Sequence, residues 1–307
     1  MERIEQRVEI RQTRAPPALK GSGNRKLSPV IQRRKGRSET EGAAVVLNSF
    51  GVLSSACRHT TPFCKSCYAR QSEAYPGVEA LLSHNTGLTT LPNQVTNDDY
   101  DRLVTMFDRL VMDAEVQMIR RNVPLNERWF RPYWDGDMRS IMELAAWNHV
   151  ASYHPDLRIF LYTRAHVFVE RALVISPLMR VPLQPNFQIY LSVDPYNIDT
   201  AQRAKRHDKH NLVRFAFCGD TWEETLAVAE HFPEERVGPR CPELTGKIPL
   251  IVWESEEERD SRLAESVRTG VKRPAGRIGK GACVECGMCP FGINNVRFAV
   301  QKGNGAI

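Results

Sequence analysis

Arg158-Ile159-Phe160-Leu161-Tyr162-Thr163-Arg164 is the stretch that decides the fold. Its apolar centre is too short for a helix, is bounded by polar residues, and reads as a buried strand. A helical pattern follows it through Leu173. The same unit recurs on either side. Upstream, Arg128-Trp129-Phe130-Arg131-Pro132-Tyr133-Trp134 looks extended, stops at Asp135-Gly136-Asp137 and leads into a helix from Ser140 to Tyr153. Downstream, Phe187–Val193 stops at Asp194-Pro195, and Leu212–Phe217 stops at Cys218-Gly219-Asp220. After that last stop, Thr221 and Glu224 form a capping box for another helix.

Ala44-Val45-Val46-Leu47 supplies a first strand and Pro249-Leu250-Ile251-Val252-Trp253 a sixth. Between the first strand and Arg128, residues 70–96 read as short helix and loop, broken at Pro76-Gly77 and at Asn85-Thr86-Gly87. An amphipathic helix then spans Asn97 to Arg121, with Leu103, Phe107, Leu110, Val111, Ala114 and Met118 on one face. Strand and helix in alternation predict a parallel α/β architecture. Six strands fit a partial (β/α)6 TIM-like barrel, and a doubly wound sheet is the rival. The expected organisation is a basic, largely disordered tail over 1–43, the barrel over 44–254 and a Cys-rich extension over 255–307.

Composition narrows the class. The chain has 307 residues, 42% hydrophobic and 25% charged, which suits a globular protein with a full core. No run approaches the roughly 20 apolar residues of a membrane span, and the charged N-terminus excludes a secretory signal. A cytoplasmic location follows, where grouped cysteines bind metal or do chemistry rather than pair as disulfides. Residues 1–37 carry eleven Lys and Arg against three Glu, more than the whole +6 of the chain, so the remainder is mildly acidic. Disorder is the first reading of that tail, and weak contact with nucleic-acid phosphates the second.

Parallel sheets place ligands at the carboxyl ends of their strands. The residues standing there are Asp135, Gly136 and Asp137, Thr163 and Arg164, Ser192 and Asp194, and Cys218 with Asp220. Each alone reads as a cap or turn residue, but recurrence after four strands argues for a shared pocket. Arg164 suits a carboxylate or phosphate on an unidentified small-molecule or macromolecular substrate. The loop Cys57-Arg-His-Thr-Thr-Pro-Phe-Cys64-Lys-Ser-Cys67-Tyr68-Ala69 follows the first strand and falls on the same rim. Three thiolates on one loop reach three corners of a metal centre. His59 reads as a cap or a solvent-facing residue.

The second group, Cys283-x2-Cys286-x2-Cys289-Pro290, resembles the ferredoxin run that holds a [4Fe–4S] cluster. Its fourth ligand is Cys241 or Cys218, and a four-thiolate zinc site at Cys241, Cys283, Cys286 and Cys289 is the alternative.

Cys64-x2-Cys67-Tyr68 after the first strand of a partial barrel resembles the cluster loop of radical S-adenosylmethionine enzymes. The spacing here is C-x6-C-x2-C where that family has C-x3-C-x2-C, and Asp135-Gly136-Asp137 stands where it has Gly-Gly-Glu. This resemblance implies a [4Fe–4S] cluster on Cys57, Cys64 and Cys67 with one open iron that binds S-adenosylmethionine. Asp135, Asp137, Arg164 and Asp194 would then be catalytic residues, and Tyr68, Gly136, Thr163 and Ser192 cofactor contacts. Over residues 20–295 the chain is similar to the bacteriophage gene product 88 family. The shared features are Gly21–Leu27, the Cys57–Ala69 loop, Asp135-Gly136-Asp137, Tyr162-Thr163-Arg164, Ser192-Val193-Asp194 and the final cysteine run. That resemblance implies a phage origin and metal-binding cysteines, without an assigned activity.

Overall fold

Five parallel strands lie side by side in chain order and form a curled half-barrel sheet. They are β1 (Trp129–Phe130), β2 (Arg158–Thr163), β3 (Phe187–Val193), β4 (Val213–Gly219) and β5 (Val296–Ala299). In this computed structural model the described residues are 17–29, 32–33, 46–174, 181–245, 247, 257, 261, 264, 268, 277–278 and 281–300. The expected strand over 249–253 and most of the basic tail lie outside them, as do Ala44 and Val45 of the expected first strand. Two further residues, Gln32–Arg33, pair antiparallel with Arg277–Ile278.

The first strand falls later than expected. Val46 and Leu47 are not in a strand, but residues 48–52 run parallel beside β1. Arg131 N–H donates to the Asn48 carbonyl and Phe50 N–H to that of Arg131, both at 3.0 Å. Trp134 N–H donates to the Phe50 carbonyl at 3.0 Å, and Val52 N–H to that of Asp135 at 3.1 Å. Polar Asn48 and Ser49 look like a strand end, yet both are fully buried. Their side chains donate to an upstream segment: Asn48 Nδ2 to the Leu27 carbonyl at 2.9 Å and Ser49 Oγ to that of Ser22 at 2.7 Å, while Asn48 Oδ1 has no partner.

The two-residue period of a strand separates the sheet's faces. Ile159 and Leu161 of β2, Ile189, Leu191 and Val193 of β3, and Val213, Phe215 and Phe217 of β4 enter the main core. Helix α3 (Asn97–Arg120), α4 (Ile141–Tyr153) and α5 (His166–Val174) pack there. Trp147 of α4 stacks on Phe107 of α3 with ring centroids 4.1 Å apart. The alternate residues Phe160, Tyr162, Tyr190, Ala216, Val296 and Phe298 turn to the second face. There they meet Leu27, Cys241 and the segment Cys283–Phe291. Residues expected as a C-terminal extension therefore supply both the last strand and the cover of this face.

Helix α1 (Tyr68–Glu73) and α2 (Pro76–Thr89) precede α3. Pro76 occupies the first turn of α2, where a missing N–H costs nothing. The expected break at Asn85-Thr86-Gly87 does not occur, because those polar side chains have partners. Asn85 Nδ2 donates to the Lys20 carbonyl at 2.9 Å, Thr86 Oγ1 to that of Leu82 at 2.7 Å, and Arg139 Nη1 to the Thr86 carbonyl at 3.2 Å. The cap of α3 is Thr96, whose hydroxyl accepts from Asp99 N–H at 3.2 Å, and all six residues of its expected apolar face are buried. Helices α6 (Ile198–Arg206) and α7 (Trp222–Glu230) follow β3 and β4.

His166 is buried between Thr200 Oγ1, 2.9 Å from its Nδ1, and the Ser192 carbonyl, 3.1 Å from its Nε2. Burial lowers its pKa to about 3, so the native state holds it neutral. An unfolded chain takes up a proton near pH 6.5 that the native state refuses, so stability falls as pH drops below that value. About 2 kcal/mol is expected to be lost between pH 7 and pH 5 through this residue. Urea unfolding at the two pH values, with His166→Gln showing a flatter dependence, checks it.

Candidate functional site

Two short 3-10 turns, Ser54–Ala56 and Pro62–Ser66, shape the loop that leaves residues 48–52 at the carboxyl rim of the sheet. Cys57 closes the first turn, with its N–H on the Ser54 carbonyl at 3.1 Å. Cys64 lies within the second and Cys67 closes it, donating to the Cys64 carbonyl at 3.1 Å. Thr61 N–H points at Cys64 Sγ, 3.4 Å away. Tyr68 opens α1 directly after Cys67.

The loop is tied across the rim. Thr61 Oγ1 donates to Asp194 Oδ2 at 2.7 Å, and Arg164 Nη1 forms an ion pair with the same oxygen. The Arg164 guanidinium also lies 5.1 Å from the centroid of the Phe63 ring. The second Asp194 oxygen accepts from Tyr196 N–H at 2.9 Å. Asp137 is equally committed: Thr163 Oγ1 and Met138 N–H reach its Oδ1, and Arg164 N–H its Oδ2, each at 2.7 Å. Burial raises the Asp137 pKa to about 6, against the pull of those donors. Ser192 is half-buried on the second face, and its carbonyl accepts from His166 and Asn197. Asp137, Thr163, Arg164 and Asp194 thus hold one another and the cysteine loop.

Asp135 differs. It is 1% exposed, and neither carboxylate oxygen has a hydrogen-bond partner. Burial raises its pKa to about 7, with Glu73 adding to the effect and the Gly136 backbone N–H offsetting part of it. Gly136 is required by the turn. Its φ is +72°, and a Cβ would lie 2.5 Å from both Val52 Cγ2 and the Val52 carbonyl oxygen.

Burial first, then Asp137, Cys67, Cys64 and Asp135, pushes the Cys57 thiol up to about 12, which places all five groups in one neighbourhood. Cys218, buried in β4, is raised by burial and by Cys64, while Arg164 opposes. It therefore belongs to the rim. His59 is half-buried with its ring edge on Phe168, centroids 4.8 Å apart, and its Nε2 has no partner.

The second group lies against the other face. Residues 239–241 run parallel to β5: Arg297 N–H donates to the Pro239 carbonyl and Cys241 N–H to that of Arg297, both at 3.0 Å. Cys283 and Cys286 sit in α8 (Ala282–Cys286) and Cys289 in α9 (Met288–Phe291), joined through left-handed Gly287 at φ +65°. Burial raises Cys283 to about 12, with Cys241 and Glu243 adding while Arg131 and Lys26 oppose. Burial, Cys283, Cys241 and Cys286 likewise raise Cys289, against the Tyr162 hydroxyl. Cys241 accordingly shares this neighbourhood and Cys218 does not. All eight cysteines are free thiols. Among the described residues, no three His, Cys, Asp or Glu side chains stand in metal-holding geometry.

Thr61, Phe63 and Glu73 were not candidates from sequence. Only the Thr61-Pro62 pair, a cap followed by proline, marks a turn start there.

A curled parallel half-barrel with thiols gathered at its rim and against its second face defines a thiol-rich α/β protein. The chain belongs to the gene product 88 family, whose profile matches residues 18–291. It is similar to the Gene 88 protein of Mycobacterium phage L5, with 31% identity over 289 residues, 92% of this chain and 98% of that protein. The Gene 88 protein of Mycobacterium phage D29 is 29% identical over 290 residues, 93% and 99% of the two chains. No solved structure matches. No helix among the described residues is long and apolar enough to cross a membrane.

Proposed function

We propose that this phage-family protein is an iron–sulfur protein with two centres: Cys57, Cys64 and Cys67 hold one at the rim, and Cys241, Cys283, Cys286 and Cys289 hold the other. The observation that carries this reading is the gathering of free thiols in two groups, one in the rim loop and one packed against the second face of a parallel sheet. Thiolate is the donor that iron–sulfur clusters use, and the donor sets fit them. Counting residues 48–52, six parallel segments follow in chain order, which supports the partial (β/α)6 barrel. A three-thiolate cluster supplies an iron able to take a further ligand, and S-adenosylmethionine is the candidate that the loop resemblance offers. Four thiolates suit zinc equally well at the second centre.

Anaerobic purification tests the reading. A brown protein is expected, with about eight irons per chain if both centres are [4Fe–4S]. Cys64→Ser is expected to remove about half of that iron while Cys283→Ser removes the other half. Stoichiometric zinc with no iron would sink the proposal. A change in the electron paramagnetic resonance spectrum on adding S-adenosylmethionine would establish an open iron.

A further inference from the structure

We infer that a cleft at the amino ends of the strands binds a short apolar peptide by both charged ends, its carboxylate on Arg158 and its ammonium on Asp156. The cleft lies at the opposite end of the sheet from the cysteine rim, and the inference is independent of the iron–sulfur reading.

The cleft has a volume of about 420 Å³, within the range of small-ligand sites. One of its polar residues is structural: the Asn186 amide is taken up by the carbonyls of Ala151, His154 and Leu157. The others, Asn126, Asp156 and Arg158, make no side-chain hydrogen bond or ion pair among the described residues. That is the reverse of the rim, where Asp137, Arg164 and Asp194 satisfy one another and the loop.

Arg158 opens β2, with its N–H on the Arg128 carbonyl at 3.1 Å. Its guanidinium lies over the Phe291 ring of α9, 4.0 Å from the centroid, a contact that orients the fork without neutralising it. Burial lowers its pKa from the usual arginine value, and no carboxylate acts against that shift. A half-buried guanidinium without an acid partner suits a carboxylate or a phosphate. Asp156 decides between them. It stands on the same cleft, in the turn that Leu157 N–H closes on the His154 carbonyl at 3.1 Å. Its charge repels a phosphate and attracts an ammonium. Leu125, Pro155 and Pro185 add apolar wall, and Leu125 is 59% exposed. A zwitterion with an apolar body therefore meets every part of the lining. Arg158 and Asp156 do not pair with each other, so the ligand has to span them. A peptide does this, whereas a single amino acid carries both charges on one carbon. The free Asn126 amide is available to the peptide's own amide group.

Isothermal titration calorimetry on the full chain tests this with four probes: leucyl-leucine, N-acetyl-leucyl-leucine, leucyl-leucinamide and adenosine monophosphate. Wild type is expected to bind leucyl-leucine, and Asp156→Asn and Arg158→Gln each to weaken it about tenfold, the worth of one charge-assisted contact. Acetylating the amine should abolish the effect of Asp156→Asn, and amidating the carboxylate that of Arg158→Gln. Circular dichroism checks the fold of each variant. If losing the Phe291 contact unfolds Arg158→Gln, the comparison of leucyl-leucine with leucyl-leucinamide on wild type still reads the carboxylate contact. No binding of leucyl-leucine at millimolar concentration overturns the inference. Equal binding of the three dipeptides reduces the site to an apolar cleft and overturns it too. Tighter binding of adenosine monophosphate overturns it in favour of a phosphate ligand.

Discussion

Gly238→Ala is expected to destabilise the protein by about 3–5 kcal/mol, combining the penalty for a left-handed L-residue with that of overpacking. Gly238 has φ +77°, and a Cβ there would fall 2.0 Å from the Asn295 carbonyl oxygen and 2.4 Å from its carbon. Asn295 cannot withdraw. Its side chain accepts from Phe215 N–H at 2.8 Å and donates to the Arg236 carbonyl at 2.7 Å, so it is fastened to β4 and to the Gly238 segment together. By contrast, Gly77 and Gly87 in α2 have nothing within 4 Å of such a carbon. The displaced segment carries Cys241, so under the proposed function the fall in the urea midpoint should be accompanied by loss of whatever metal the second thiol group holds. A variant with wild-type stability would show that the 236–241 segment moves freely against β5.

His154→Ala is expected to cost about 3–5 kcal/mol, the usual penalty for removing one partner from a buried ionic network. His154 caps the end of α4 and is 4% exposed. Its Nδ1 lies 2.7 Å from Glu115 Oε2 and its Nε2 3.0 Å from Asp108 Oδ1, both on α3. The imidazole thus stands between two acidic groups that would otherwise face each other. Asn186 reinforces the junction, its Nδ2 reaching the carbonyls of Ala151, His154 and Leu157 at 2.9–3.0 Å. Adding Asp108→Asn and Glu115→Gln to His154→Ala is expected to recover more than half of the loss. Failure to recover it would place the effect in the helix end rather than in the charges.

The central strands were legible in sequence because they are buried on both sides. Ile159–Leu161, Ile189–Leu191 and Phe215–Phe217 face apolar neighbours above and below, so their composition is continuous and their polar stops are sharp. The first and last strands were not legible. Residues 48–52 hide buried polar residues whose partners come from residues 22–27, and no local pattern reports that. Val296-Arg297-Phe298-Ala299 is a four-residue strand in which Arg297 reaches the Gly238 carbonyl at 3.1 Å. Within the site, strand-end position located Asp135, Asp137, Arg164 and Asp194 correctly on one rim. It did not say which were already partnered. Hydrogen-bond saturation is a property of three-dimensional neighbours, and it separates Asp135 from the other three.

The piece from Gly281 to Val300 has a consequence for how the chain matures. It brings three thiols, Cys283, Cys286 and Cys289, and the outer strand in one short length. Until the ribosome has passed it, Phe160, Tyr162, Tyr190 and Ala216 lack the cover that Cys283–Phe291 gives that face, and β4 has a bare edge. Such a nascent chain offers both an oily surface and an unpaired strand, the two features that recruit chaperones or promote aggregation. Metal capture by these thiols, as the proposed function has it, would latch the piece in place once it has emerged. Expression yield should therefore track iron or zinc supply more closely than it tracks temperature.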